Sequence, residues 1–185
     1  DRSVSRGLGD VYKRQVFDAV IGQAKGITEV ERLIDVVGRP WVDQELMCAA
    51  AFQGNVVCMN VQNGRLVWNA KVDAVTGPVA DGRLVYEVDD ASRIHAFNRQ
   101  NGREAWVNES FLYRSASAPI RVGTSLAFGD YEGNITFLDP ATGTPVARTK
   151  LSGAVTTPAA QYGYGAVFQT VEGDVAYVVE GADSE

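Results

Sequence analysis

The sequence has few of the residues that build metal centres and disulfide frameworks. Its 185 residues include one histidine, His95, and two cysteines. A single histidine cannot form a histidine cluster around a metal, and two cysteines are too few for a disulfide framework in a chain of this length. A Gly-Lys-Ser/Thr phosphate loop and a Gly-x-Ser-x-Gly nucleophile elbow are also missing. The sequence therefore predicts neither an enzyme nor a bound cofactor or metal.

Positive charge and long apolar runs are also scarce. Seventeen Lys and Arg residues face twenty-three Asp and Glu residues, so that the formal net charge is −6. Because binding to nucleic acid requires an excess of cations, nucleic acid is excluded as the expected partner. No apolar run is long enough to span a bilayer, and the N-terminus carries neither a signal peptide nor a lipid-attachment cysteine.

What the sequence does contain is an internal repeat. Three complete copies run from Gly54 to Gly64, from Ser92 to Gly102 and from Gly133 to Gly143, and a fourth begins at Gly173. In each complete copy the two turn positions are ten residues apart. A proline precedes every copy, at intervals of 38, 41 and 39 residues: Pro40, Pro78, Pro119 and Pro158. Tryptophans follow the second glycine by four residues in two copies: Trp68 and Trp106.

Each repeat is also rich in short strand-like runs. Leu46 to Phe52, Val56 to Val61 and Leu66 to Val72 are β-branched, aromatic or apolar and are separated by turn residues. The third copy shows the same pattern at 125–129, 135–138 and 145–151, and a segment around each proline supplies an innermost strand. Four strands in about 40 residues is the spacing of a propeller blade.

The predicted fold is therefore all-β: a β-propeller segment of about four blades, each a four-stranded antiparallel sheet of the pyrroloquinoline-quinone-like or WD40-like type. Helical repeat arrays of similar period would need long helical patterns, which are lacking after residue 35. A β-sandwich stays an alternative, although it would not give a strict period.

The repeat also predicts the division of the chain. The expected boundaries are a non-conforming leader at 1–15, for which a non-native origin is one interpretation, a partial propeller at 16–180 and a tail at 181–185. Within the propeller, 16–26 is expected to form the outer strand of an earlier blade, and blades follow at 36–72, 76–108, 117–151 and 157–180. Because three and a half blades cannot close a ring, we interpret the chain as a piece of a longer protein.

Three stretches resemble the family of the outer-membrane protein assembly factor BamB, in the pyrroloquinoline-quinone-like propeller superfamily. They are Gly22–Val36 (GQAKGITEVERLIDV), Leu112–Pro119 (LYRSASAP) and Phe128–Asn134 (FGDYEGN). The resemblance runs from about Val16 to Val179. The first stretch is the most specific, because the blade repeat does not require its charged residues.

The resemblance implies a function and a location. Proteins of this family are periplasmic lipoproteins with eight blades that dock on the POTRA domains of BamA and assist the insertion of outer-membrane proteins. This chain would then be the C-terminal half of a ring and a non-catalytic scaffold on the periplasmic face of the outer membrane. Unfolded outer-membrane proteins are a further possible partner, and contact with the membrane would require a lipid anchor outside this chain.

The partner-binding residues implied by the resemblance lie in the segment between two blades. An acidic family position that contributes to the BamA contact falls on Asp35, whereas a second one, two residues later, is Val37. Loops between blades project from the ring and can touch a partner. The candidate partner-binding residues are Glu29, Glu31, Arg32, Leu33 and Asp35. A solvated loop whose charges pair with one another is the alternative interpretation.

Other polar residues have a structural interpretation. Asp89-Asp90 and the pair Asp130 and Glu132 could serve acid–base or calcium chemistry, but they fall at turn positions where Asp bonds to the local backbone. His95 stands at a variable strand position, which favours a structural role. Trp68 and Trp106 could be mistaken for a cofactor-stacking site, but their shared repeat position favours packing between adjacent blades.

The two cysteines lie on neighbouring strands around Gln53-Gly54. A two-residue turn there would pair Ala49 with Cys58 and direct the two sulfurs to opposite faces, which disfavours a disulfide. A shift of one residue would bring them opposite. Buried free thiols are the expectation.

Two other classes of function remain as alternatives. The propeller could belong to a quinoprotein dehydrogenase, which would require a calcium site and groups that face pyrroloquinoline quinone. It could also be a general propeller interaction module with an unrelated partner.

Overall fold

The structure, a computed structural model, describes residues 36–51 and 54–181. Every regular element in these ranges is a β-strand. In chain order, the strands are β1 Val36–Val42, β2 Leu46–Ala51, β3 Asn55–Asn60, β4 Leu66–Lys71, β5 Val79–Ala80, β6 Leu84–Val88, β7 Ile94–Asn98, β8 Glu104–Asn108, β9 Ile120–Val122, β10 Ser125–Gly129, β11 Asn134–Leu138, β12 Pro145–Lys150, β13 Ala160–Tyr162, β14 Gly165–Gln169 and β15 Val175–Val178.

The strands form four antiparallel sheets in which neighbours in sequence are neighbours in space. Strands β1–β4, β5–β8 and β9–β12 each make a four-stranded sheet, and β13–β15 make a three-stranded one. We refer to these sheets as blades 1 to 4. This arrangement confirms the predicted propeller segment and the predicted four-stranded meander of its blades.

Strand burial follows the position of each strand in its blade. The second strands, β6 and β10, are buried along their whole length, whereas the outermost strand β12 is exposed along its whole length. Short inner strands β5 and β9 begin directly after Pro78 and Pro119. Pro40 instead lies inside β1, at an irregularity of the pairing between Val37 and Trp41, where the lost backbone donor is tolerated.

The core consists of clusters in the seams between adjacent blades. Between blades 1 and 2 the cluster includes Cys58, Val85 and Phe97. Between blades 2 and 3 it includes Tyr86 and Phe128, and between blades 3 and 4 it includes Phe137 and Phe168. Because the buried apolar surface is shared between neighbouring sheets, each blade depends on the next for its stability.

The two repeated tryptophans close the first two seams, as predicted. Trp68 of β4 donates its indole N–H to the carbonyl of Arg99 at 2.7 Å, and Trp106 of β8 donates to the carbonyl of Pro140 at 3.0 Å. Each ring lies on a glycine of the next blade: a Cβ at Gly102 would be 2.6 Å from Trp68, and one at Gly143 would be 2.5 Å from Trp106. Both glycines also have a positive φ.

The expectation of free thiols is wrong, because Cys48 and Cys58 form a disulfide. The two residues are directly paired in the β2–β3 ladder, with their Cα atoms 4.2 Å apart. Ala50 pairs with Val56, so that the connection is longer than the assumed two-residue turn. The pairing is therefore shifted by one residue, which turns both sulfurs to the same face.

Several predictions fall outside the described residues. They concern the leader at 1–15, the outer strand at 16–26, most of the tail at 181–185, and the candidate residues Glu29, Glu31, Arg32, Leu33 and Asp35. Over 36–51 and 54–181, no helix is long and apolar enough to cross a lipid bilayer.

Candidate interaction surface on one side of the blades

The meander order of the blades places two kinds of loop on one side of the sheets. The hairpins between second and third strands and the connections between blades both emerge there, and we call this side the loop face. One such connection is 109–119, which leads from β8 into β9. By sequence position, the candidate residues from Glu29 to Asp35 precede β1 as this connection precedes β9.

Asp89 organises the hairpin between β6 and β7 on the loop face. Its Oδ1 accepts backbone N–H groups of Ala91 and Arg93 at 3.1 and 2.8 Å, and its Oδ2 accepts the Arg93 Nε at 2.5 Å. Burial would raise the pKa of Asp89, but the Arg93 backbone amide, His95 and the Arg93 guanidinium together hold it below its ordinary value. The Asp89 carboxylate therefore stabilises its own turn, as predicted.

His95 bridges this hairpin to the outer strand of the blade. Its Nε2 lies 3.2 Å from Asp89 Oδ2 and its Nδ1 lies 2.8 Å from Glu104 Oε1. Its ring also stacks on Phe97, with the ring centroids 6.0 Å apart. Both nitrogens have partners within blade 2, which supports the predicted structural role.

Asp130 repeats the arrangement in blade 3. Its Oδ1 accepts the backbone N–H groups of Glu132 and Asn134, each at 2.9 Å, and its Oδ2 accepts Arg114 Nε, also at 2.9 Å. Arg114 also donates to Glu132 at 2.5 Å. The turn interpretation of Asp130 is confirmed, and Arg114 ties the connection 109–119 to this hairpin.

The connection 109–119 is firmly anchored but displays apolar side chains. Phe111 is buried edge-on against Phe128, with the ring centroids 4.8 Å apart. Next to this anchor, Leu112 is 42% and Tyr113 79% exposed, and Tyr113 has a φ of 58°. Tyr131 is half-exposed beneath the Arg114 guanidinium, which lies 5.5 Å from its ring centroid.

The exposed patch formed by Leu112, Tyr113 and Tyr131 has the features of a binding epitope. A side chain held in the left-handed region costs free energy, which the Tyr113 N–H recovers in part by donating to the Ala91 carbonyl at 2.8 Å. Tyrosine and arginine are enriched among residues that dominate protein–protein binding. The sequence did not single out Tyr113, because neither its exposure nor its backbone conformation is encoded in the repeat.

The sequence also did not predict that an acidic residue, Glu87, would be buried. Glu87 of β6 is completely buried; its Oε1 accepts the Thr76 hydroxyl at 2.8 Å and the Val88 N–H at 3.0 Å. Its Oε2 has no hydrogen-bond partner among the residues that the structure describes. Burial raises the pKa of Glu87 to about 8, against the lowering effect of both hydrogen bonds. The repeat did contain a signal for this burial, because the residues that align with Glu87 in blades 3 and 4 are the apolar Phe128 and Phe168.

The polar groups of the loop face hold turns and connections together. In the part of the chain that the structure describes, no group of three or more His, Cys, Asp or Glu side chains is arranged to hold a metal ion. What the geometry offers is a rigid surface that combines exposed aromatic and aliphatic groups with fixed charges.

A family model and a curated relative both indicate the same protein family for this chain. A family model described as outer membrane protein assembly factor BamB matches residues 14–108. BamB of Bordetella pertussis is 34% identical over 164 residues, which cover 88% of this chain and 42% of that protein. The chain thus spans less than half the length of this curated relative.

Solved structures agree with the sequence comparison. The crystal structure of BamB from Moraxella catarrhalis matches with a TM-score of 0.80 and 25% identity, over 85% of this chain and 47% of that one. The quinohemoprotein alcohol dehydrogenase of Comamonas testosteroni matches with a TM-score of 0.53 and 20% identity, over 63% of this chain and 21% of that one. The second likeness shows a shared fold alone and does not favour the dehydrogenase alternative.

Proposed function

Since the chain belongs to the family of the outer membrane protein assembly factor BamB, we propose that it is a non-catalytic scaffold in outer-membrane protein assembly. The observation that carries this proposal is the loop face, where Arg114 and Phe111 fix a connection that displays Leu112 and Tyr113. A pre-organised surface of this kind binds a protein partner with little loss of conformational entropy.

We further propose that the chain works at the periplasmic face of the outer membrane, as part of a lipid-anchored protein. The Cys48–Cys58 disulfide supports this location. Disulfides persist in oxidising compartments such as the bacterial periplasm and are rare in the cytosol.

The proposed partner is BamA, contacted through its POTRA domains by Glu29, Glu31, Arg32, Leu33 and Asp35. This segment is a connection between blades in the sequence, of the same kind as 109–119. The second acidic family position is Val37, a half-buried residue that packs against the cluster between blades 1 and 2. An apolar side chain at this position replaces a charge, so Asp35 carries more of the electrostatic contact in this chain.

Reversing the charge of Asp35 should therefore weaken binding to BamA by at least about tenfold, the change typical of a close charge pair made repulsive. The measurement is the affinity of the BamA periplasmic domains for a polypeptide of the relatives' length that contains this chain, with Asp35 or Asp35→Arg. Because rim charges act largely on the association rate, the loss should shrink at high salt.

Glu45→Arg is the matched control. Glu45 lies in the hairpin between β1 and β2, on the side opposite the loop face, and its side chain is 82% exposed. This variant makes the same change in net charge and should bind as the unaltered protein does. Equal binding by Asp35→Arg, or no binding by the unaltered protein, would contradict the proposed contact.

A further inference from the structure

Backbone strain in the described part of the chain is concentrated at one junction on the loop face. Over 36–51 and 54–181, three residues other than glycine have a positive φ: Ser92 at 65°, Tyr113 at 58° and Ser115 at 51°. The first lies in the hairpin between β6 and β7, and the other two lie in the connection 109–119. Side chains in this backbone region cost free energy and persist only where their surroundings hold them.

Hydrogen bonds hold the connection 109–119 against this hairpin. The Tyr113 N–H donates to the Ala91 carbonyl at 2.8 Å, and the Ala116 N–H donates to the Ser92 hydroxyl at 3.3 Å. The backbone that carries the exposed Tyr113 ring is therefore fixed before a partner arrives, which lowers the entropic cost of binding.

Negative charge predominates around the exposed patch. The hairpins 89–93 and 130–134 and the connection 109–119 contain five carboxylates and two guanidinium groups: Asp89, Asp90, Glu109, Asp130 and Glu132, with Arg93 and Arg114. Both guanidinium groups are already paired with carboxylates of this set. An anionic lipid surface or a nucleic acid would be repelled here, whereas a cationic polypeptide segment would be attracted.

Two exposed carboxylates of this set, Asp90 and Glu109, form no ion pair with the part of the chain that the structure describes. Asp90 lies in the hairpin between β6 and β7, and Glu109 begins the connection. Both act on the same guanidinium: the pKa of Arg93 is raised mainly by its hydrogen bond to Asp89 and also by the charges of these two carboxylates. An added cation would therefore meet uncompensated negative charge beside the patch.

Arg114 shows how this surface binds a cation. Its guanidinium lies 5.5 Å from the centroid of the Tyr131 ring, and its Nε donates to Asp130 at 2.9 Å. Tyr113 offers a second ring, on a backbone that is bonded to the hairpin of Asp90. No guanidinium or ammonium group of the described residues lies over the Tyr113 ring. This ring is thus available to a cation from another molecule.

We propose that the patch of Leu112, Tyr113 and Tyr131 docks a cationic segment of a protein partner, in which an arginine stands next to a bulky apolar residue. The guanidinium stacks on Tyr113 and is attracted by Asp90 and Glu109, while the apolar side chain packs on Leu112. Arginine fits better than lysine, because its planar group both stacks on a ring and bonds to two oxygens. This docking site rests on the proposed function of the loop face as a binding surface, but it does not require that the partner be BamA.

The test measures the binding of a capped, fluorescently labelled peptide in which arginines alternate with leucines. The protein is a polypeptide of the relatives' length that contains this chain, and the readout is fluorescence anisotropy at low salt. We expect saturable binding, weakened at least about tenfold when glutamates replace the arginines. Serines in place of the leucines should also weaken binding, and lysines in place of the arginines should give an intermediate affinity.

Two variants with matched controls locate the site. Tyr113→Ala removes the ring and should weaken binding of the arginine peptide about fivefold. Tyr164→Ala should not, because Tyr164 is 90% exposed in the hairpin between β13 and β14, on the side opposite the loop face. Glu109→Gln should weaken binding about twofold, whereas Glu45→Gln, also on the opposite side, should not. Tyr113→Phe keeps the ring and should bind as the unaltered protein does.

Equal binding of the arginine and glutamate peptides, no binding of either, or undiminished binding by Tyr113→Ala would overturn the proposal. Equal binding of the lysine peptide would overturn the preference for arginine. Each replaced side chain is exposed, and an unchanged midpoint of denaturant unfolding confirms that the variant has folded. Binding of BamA without binding of the peptide would remove this docking site alone, whereas binding of the peptide without binding of BamA would remove the BamA contact alone.

Discussion

Replacing Glu87 with glutamine should stabilise the protein at pH 8 by an amount on the order of 4 kcal/mol, and by much less at pH 5. The side chain is completely buried, with one carboxyl oxygen unpartnered among the described residues. Its partner across the sheet is His95, whose ring nitrogens are directed to Asp89 and Glu104 and not to Glu87. No cation therefore offsets the burial of a charge at this position in the described structure.

The direction of the pH dependence follows from the raised pKa. Glu87 titrates near 8 when folded, against 4.5 in its unperturbed state. Between these values the folded chain holds a proton that the unfolded chain has released. The contribution of Glu87 to stability is therefore complete below pH 4.5 and is lost as the pH rises towards 8.

Denaturant unfolding of the unaltered chain, Glu87→Gln and Glu109→Gln at pH 5, 6.5 and 8 measures this effect. Glu109 is exposed, so its replacement removes the same charge without the burial. The difference between Glu87→Gln and the unaltered chain should grow steadily with pH, whereas the Glu109→Gln difference should stay small. A Glu87→Gln difference that is constant from pH 5 to pH 8 would show that Glu87 is already ionised in the folded protein.

Replacing Gly143 with alanine should destabilise the protein by about 3 kcal/mol or more. The new Cβ would be 2.5 Å from Trp106 Cε3, and the backbone φ of 72° disfavours any residue with a Cβ. The ring cannot simply withdraw, because its N–H is bonded to the Pro140 carbonyl. Thermal and denaturant unfolding should both show the loss.

Gly82→Ala is the control for this prediction. Gly82 lies in the hairpin between β5 and β6, and a Cβ there would meet no atom within 4 Å. Its replacement should leave stability nearly unchanged. If Gly143→Ala is as stable as Gly82→Ala, the close approach between tryptophan and glycine does not hold the seam together.

The repeat predicted the strands well because each blade contains the same local signals. The predicted strand 125–129 matches β10 in full, and four others differ by one residue at one or both ends. The strand predicted at 46–52 matches β2 up to Ala51, and its last residue lies outside the described residues. Turn glycines, inner prolines and paired tryptophans are local features that recur, so they can be aligned within one sequence.

Register and burial were harder to predict. The cysteine pairing was wrong because it depended on the length of one hairpin, and a change of one residue reverses every side chain. The buried acid Glu87 and the exposed Tyr113 depend on contacts between distant segments. Only a comparison of equivalent positions, such as Glu87 with Phe128, could have revealed the first of these.

The candidate partner-binding residues stay a prediction, since Glu29 to Asp35 lie outside the described residues. The structure adds a second connection of the same kind, 109–119, whose anchoring and exposure could not be read from the sequence. Because Glu29 to Asp35 precede β1 in the sequence as 109–119 precedes β9, we expect contact on the loop face.

Hydrogen exchange of a polypeptide of the relatives' length that contains this chain, with and without the BamA periplasmic domains, tests this claim most directly. Protection on binding should be confined to the segments 24–35 and 109–116. The hairpins on the opposite side, 61–65 and 99–103, should exchange at unchanged rates. Protection of those hairpins without protection of the loop face, or no protection at all, would contradict the account.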